Sequence, residues 1–197
     1  MYMKLSAVAL LGLLPAMAAV SDIDTNKTAG SPSAPVTVEV YSDFECPGCK
    51  LMHDITLPQL QRDFVATGKV YLVYRECPLP IHAHSREAAN YAVAAARLSL
   101  YQPVADALFR DQAAWSANGK VWETVASALT LPQQTKVKAG AANASVSDEI
   151  KREVSLALAV PIKSTPTLVV SRGSARFPVS GTMHYTFLKS LIDGLLK

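Results

Sequence analysis

Ala34 to Lys50 reads APVTVEVYSDFECPGCK, and this stretch decides the fold. Val36 to Tyr41 (VTVEVY) is β-branched and bounded by Pro35 and Ser42, the pattern of a buried strand. Cys46-Pro47-Gly48-Cys49 follows directly and opens a segment, Cys49 to Phe64, with apolar residues at helical spacing: Leu51, Met52, Ile55, Leu60 and Phe64 share one broad face. Pro58 is expected to kink or interrupt that helix. Val70 to Arg75 (VYLVYR) is a second strand. A strand, a helix and a strand within about forty residues form a βαβ unit with parallel strands.

Two cysteines at this junction have a specific chemistry. The first N–H groups of a helix are unpaired and carry partial positive charge, so a thiolate there is stabilised and its pKa falls. Pro47 fits the first turn, where its missing N–H is not needed. Cys46 is the expected nucleophile, and Cys49, one turn deeper, the resolving thiol. Half a zinc site and an inert bridge are the alternatives. Zinc needs more ligands, and His53 is the only nearby candidate. A bridge across so short a loop removes little unfolded-state entropy.

The rest of the chain frames this unit. Met1 to Lys4 is a short basic start, Leu5 to Leu14 is apolar, and Ala16-Met17-Ala18 offers small residues before a cut, so residues 1–19 read as a secretory signal peptide. An uncleaved anchor is the other reading, and both place the domain outside the cytosol. Residues 20–34, polar with Gly30 and Pro32, read as a linker, and residues 35–197 as the domain. From about residue 85 to 160 the sequence is helical, with no strong strand candidate. Ser85 and Ser147 are the expected N-caps, Asn118-Gly119 splits two helices, and Leu131-Pro132 opens another. Within the last of these helices Ile150, Val154, Leu156 and Leu158 are apolar; Trp115 and Trp122 read as insertion core. Thr167 to Val170 and Arg176 to Val179 form a hairpin about Arg172-Gly173-Ser174, with Pro178 marking a sheet edge. Tyr185 to Leu196 is a final amphipathic helix.

Composition sets limits on function. The 197 residues are 50% hydrophobic and 18% charged, which excludes a disordered chain. The net charge of +3, without a dense basic run, gives no case for nucleic acid. A core of this size needs no disulfide staples.

The segment 34–50, with its acidic-aromatic pair Asp43-Phe44 ahead of the cysteines, resembles the DsbA-like branch of the thioredoxin superfamily. Tyr74-Arg75-Glu76-Cys77-Pro78-Leu79 with His82 and Ala88-Ala89, and Ser164-Thr165-Pro166-Thr167, resemble two further segments of that family. The resemblance covers about residues 34–197. It implies an α/β thioredoxin-like fold with a helical insertion between the βαβ unit and the C-terminal β-hairpin and helix. It also implies a cis Thr165–Pro166 bond facing the cysteines, with the Thr165 backbone left to pair with an extended substrate. The activity implied is thiol–disulfide exchange on cysteine-containing exported proteins, through Cys46 and Cys49 with Pro47 and Gly48 between them. It requires a separate redox partner and neither metal nor organic cofactor.

Two departures matter. Where many thioredoxin-like proteins carry a buried strand carboxylate, six residues before the first cysteine, this chain has Val40; Glu39 should face the other side of the sheet. DsbA itself has histidine where this chain has Gly48, so only moderate oxidising power is expected. The short segment ahead of the first strand gives no room for the dimerisation domain that isomerases use, so a monomeric oxidase is expected; a reductase, an isomerase, or a binding module with a structural disulfide are the alternatives. Cys77 reads as a buried free thiol at a strand end, with a redox-active or intermolecular thiol as the alternative. His82 and His84, two positions apart, read as structural or surface histidines, with a metal site as the alternative, and His53 reads as a packing residue on the helix after the cysteines.

Overall fold

The computed structural model describes residues 23–160 and 162–197. Its centre is a five-stranded sheet in the order β1-β3-β2-β4-β5: β1 Thr28–Ala29, β2 Val36–Ser42, β3 Val70–Glu76, β4 Thr167–Arg172 and β5 Ala175–Ser180. β2 and β3 run parallel, Val36 beside Val70 through Ser42 beside Glu76, and the other neighbouring pairs are antiparallel. The α/β thioredoxin-like fold with a helical insertion is thus present. β5 forms the sheet edge that Pro178 marks.

Alternation along β2 divides the interior. Val36, Val38 and Val40 join the main core with Leu60, Phe64, Leu72, Leu108 and Trp115. Tyr41 turns to the opposite face, where Cys77, Ala157, Ile162 and Val169 form a second, smaller cluster. The insertion comprises α3 Ser85–Ala96, α4 Tyr101–Arg110, α5 Gln112–Asn118, α6 Val121–Ser127, α7 Leu131–Ala141 and α8 Ala144–Ala159. The Ala-rich α3 buries seven alanine and valine residues, and small side chains of this kind permit close helix packing. Gly119 ends α5 at φ +72°, a left-handed conformation that glycine adopts without strain. Trp122 is half-buried, its ring tilted against that of Tyr91 with centroids 5.1 Å apart.

Several expectations are corrected. Helical structure continues through residues 47–65: α1 Pro47–Leu51, a π-turn at Met52–Thr56, α2 Leu57–Leu60 and a second π-turn at Gln61–Val65. Pro58 does not break the run. It lies in the first turn of α2, after the wider π-turn closed by the Leu57 N–H on the Met52 carbonyl. Leu51 and Ile55 do not share the buried face; they are 52% and 57% exposed, and Leu57 joins Met52, Leu60 and Phe64 inside instead. α3 starts from His84, with Ser85 already helical. α8 is capped by Asn143, whose side chain accepts from the Ser145 N–H, not by Ser147, and Leu158 is exposed. Thr130 and Gln133 complete a capping box at the head of α7.

The linker expectation also fails over the described part of residues 20–34. Asp24 caps a 3-10 turn at Thr25–Lys27, and β1 pairs with β3. Lys27 is 1% exposed, with Nζ 2.7 Å from Glu153 and 2.9 Å from Glu149 on α8. Glu153 also accepts from the backbone N–H of Glu76 at the open edge of β3 and lies 3.6 Å from Arg75. Burial pushes Glu76 up to about 8, and Tyr101 donates to its carboxyl. The expected signal peptide lies outside the described residues.

Lys27 therefore ties the N-terminal strand to the insertion. Replacing it removes the nearest counter-charge of two buried carboxylates, leaving Arg75 at 3.6 Å from Glu153 and Arg97 at 3.4 Å from Glu149; breaking a buried pair typically costs about 3–5 kcal/mol. Lys27→Ala is expected to lower unfolding free energy in urea by about that amount, and a loss within the range of a surface pair, under about 1 kcal/mol, would contradict the role.

Candidate active site

Cys46 is the N-cap of α1, in extended backbone at the end of the β2 loop, with Pro47 in the first turn. Cys46 is half-buried, Cys49 is 1% exposed, and both are free thiols. One helical turn thus places one sulfur at the surface and the other in the core. As a thiol, Cys46 donates to the Thr165 carbonyl at 3.4 Å. As a thiolate it accepts from the Cys49 thiol, and from backbone N–H groups of Cys49 and Gly48. These bonds, the Cys49 thiol first, lower the Cys46 pKa from about 9 to about 5, against opposition from partial burial. Cys49 moves the other way, raised mainly by burial and then by sharing its proton with Cys46. Its sulfur accepts from the Asp43 N–H at 3.3 Å.

The Thr165–Pro166 bond is cis, in agreement with the resemblance, and the segment lies against the cysteine loop. A Cβ at Gly48 would stand 3.1 Å from Cδ of Pro166 and 3.5 Å from Cγ2 of Thr182. Residue 48 is glycine where the Pro166 ring and the Thr182 methyl approach the cysteine loop closely. All six residues expected at the site, Cys46, Pro47, Gly48, Cys49, Thr165 and Pro166, are brought together.

Sequence reasoning did not identify the residues that hold the loop in place. Asp43, fully buried, accepts from the backbone N–H groups of Glu45 (2.8 Å) and Leu79 (2.7 Å) and pairs with Nδ1 of His82 at 2.8 Å. His82 is displaced upward in pKa: burial lowers it, but Asp43 outweighs that. Glu45 accepts from the His84 N–H. From the insertion, Gln112 donates to the carbonyls of Phe44 (2.6 Å) and Cys46 (3.0 Å). The acidic-aromatic pair signalled Asp43; nothing local signalled Gln112. Glu39 faces the other side of the sheet, bound by Arg75 at 3.0 Å and Arg176 at 2.9 Å. His53 packs on the Phe109 ring and pairs with Asp106. Cys77 is buried and free, its pKa pushed up to about 11 chiefly by burial. Among the described residues no group of three or more His, Cys, Asp or Glu side chains is arranged to hold a metal ion.

The family described as Thioredoxin matches residues 22–190, and the chain belongs to it. Among curated proteins, the Disulfide bond formation protein D of Bacillus subtilis is 23% identical over 151 residues, covering 72% of this chain and 66% of that protein. Across the relatives of that name, the matched stretch spans between 25% and 66% of their own length. Among solved structures, DsbA2 of Pseudomonas aeruginosa superimposes with a TM-score of 0.68 at 27% identity, over 86% of this chain and 93% of that one. A thioredoxin-like oxidoreductase from Silicibacter pomeroyi gives 0.73 at 25% identity, over 90% and 97%. The DsbA-like form of the thioredoxin fold is therefore the architecture here.

The opposite shifts of the two sulfurs generate a direct expectation. Alkylation of the reduced native protein by iodoacetamide should rise with pH about a midpoint near 5 at Cys46, because only the thiolate reacts. Cys49 and Cys77 should stay unmodified at neutral pH. Peptide mapping by mass spectrometry checks this, and a Cys46 midpoint near the ordinary thiol value would contradict it.

Proposed function

We propose that the protein is an exported thiol–disulfide oxidoreductase that oxidises dithiols in cysteine-containing envelope or secreted proteins. The observation that carries this is the split between the two sulfurs: an accessible Cys46 stabilised as thiolate beside a buried, protonated Cys49. In the oxidised form, a substrate thiolate attacks Cys46, the Cys46–Cys49 bond breaks, and a mixed disulfide forms. A second substrate thiol then releases the reduced enzyme, and a separate redox partner takes up the two electrons. In the reverse sense Cys49 attacks Cys46 and expels whatever is bound there.

Stabilising the reduced form strengthens an oxidant. The low Cys46 pKa does so through Cys49 and the helix-start backbone, without help from a side chain at residue 48, and this supports oxidation as the direction. The exported location rests on the N-terminal pattern of residues 1–19 and on the disulfide-permissive compartments where such chemistry operates. The curated Bacillus relative, by its name a disulfide bond formation protein, supports the same reading.

Substrate has a place to lie. An open groove of about 460 Å3, lined by Leu51, Ile55, Met183, His184 and Tyr185, adjoins the cysteine loop through Thr182. Its exposed apolar side chains suit an unfolded segment, and the Thr165 backbone beside Cys46 suits its main chain. Cys77, on the other face of the sheet from Cys49, takes no part.

Cys49→Ala should accumulate substrates on Cys46 as mixed disulfides, separable on non-reducing gels and lost on reduction. Cys46→Ser should abolish both capture and oxidation of a reduced, unfolded substrate, whereas Cys77→Ala should leave the oxidation rate unchanged. Capture by Cys46→Ser at the level of Cys49→Ala would overturn the assignment.

A further inference from the structure

Each cycle must move one proton on and off Cys49, which is sealed from solvent. The strand position that could have supplied a carboxylate is Val40, and Glu39 is turned away and engaged by two arginines. Cys49 instead faces a small cavity, about 10 Å3 of room for a water centre, shared with Ser42, His53, Tyr74 and Tyr101. That is space for about one water. His53 also lines an open groove of about 640 Å3 on the far side, together with Asp106. It stands between the buried thiol and solvent. Its Nε2 is 3.0 Å from Oδ1 of Asp106, whose side chain is half exposed, and its ring packs at a tilt against the Phe109 ring, with centroids 4.6 Å apart. The two phenols in the cavity are engaged: Tyr101 donates to Glu76, and Tyr74 accepts from Gln61.

We propose that His53, oriented by Asp106, is the proton-transfer residue for Cys49, passing its proton to and from the outer groove through a single water in the cavity. This rests on the exchange reading above. When Cys49 resolves a mixed disulfide, its S–H proton passes through the water to Nδ1 of His53. The Cys49–Cys46 bond forms, the Cys46–partner bond breaks, and the partner sulfur leaves as a thiolate. In the opposite direction, imidazolium returns the proton as the Cys46–Cys49 bond is cleaved and Cys49 departs. Two electrons move with the disulfide, and one proton moves with Cys49.

The surroundings fit a base. Burial holds the His53 pKa below its ordinary 6.5, with Asp106 and then Asp54 opposing and Lys50 reinforcing. The titratable groups facing it are Cys49, Lys50 and Asp54 on its own helical run, Tyr101 and Asp106 on α4, and Tyr74 on β3. At pH 7 the ring is neutral. Its Nε2–H donates to Asp106, and Nδ1 is left as the acceptor.

The test separates the two sulfurs kinetically. Reduced protein is mixed with increasing oxidised glutathione: the initial slope reports Cys46 attack, and the plateau rate reports resolution by Cys49 with release of glutathione. In the unaltered protein the plateau should rise with pH through an inflection below 6.5. His53→Gln should lower the plateau at pH 7 about a hundred-fold, the low end of general acid–base contributions, abolish the inflection, and leave the initial slope unchanged. In His53→Ala, added imidazole should restore the plateau. Asp106→Asn, at a half-exposed position that preserves the core, should move the inflection to lower pH, because the carboxylate that raises the His53 pKa is gone. An unchanged plateau and pH profile in His53→Gln, or an unmoved inflection in Asp106→Asn, overturns the proposal. Failure of every variant and of the parent to form a glutathione mixed disulfide overturns the exchange reading itself.

Discussion

One helical turn separates a sulfur open to bulk solvent from a sulfur shut away from it. Desolvation keeps the proton on Cys49, and Cys49 then lends that proton to Cys46 as a hydrogen bond. The reactivity of the outer sulfur is a consequence of the burial of the inner one. Most of the structure around the pair serves to hold this difference. β2 delivers the chain to the helix start, the valines of β2 and the helices of the insertion close over Cys49, and Asp43 fixes the loop from beneath with two backbone bonds and His82.

The insertion is thereby part of the site. Gln112 binds the carbonyls of Phe44 and Cys46, so α5 sets the height of the nucleophile above the sheet. α8 in turn is anchored to β1 and β3 by Lys27 and Glu153. A buried ion pair of this kind adds little net stability over a well-packed apolar pair, but it penalises any register that leaves one charge alone. The N-terminal strand, the open edge of β3 and the insertion are held in one arrangement by it.

What the sequence showed, and what it hid, follows from the range of the interactions involved. β2, the hairpin and the helix from Tyr185 to Leu196 are written in local periodicity and turn residues, and the cysteine loop in a four-residue motif with a strand before it. Residues 24–29 looked like linker because a two-residue strand has no period, and because the burial of Lys27 depends on Glu149 and Glu153, more than a hundred positions along the chain. Leu51 and Ile55 have the right spacing for a core face, yet they border an open groove; periodicity records which residues share a face, not what covers it. Gln112 carries no signal, since its partners are backbone carbonyls that every sequence has. His53 read as packing, and only the cavity shared with Cys49 distinguishes it from an ordinary core histidine.

The account stands on stabilisation of the reduced state through Cys46, and the reduction potential measures that directly. The purified protein, equilibrated across glutathione redox buffers at pH 7 and quenched with acid before separation of its reduced and oxidised forms, should show a potential clearly less negative than the about −270 mV of thioredoxin. A potential as reducing as thioredoxin's would contradict the account, because stabilising the Cys46 thiolate favours the reduced form and makes the disulfide easier to reduce.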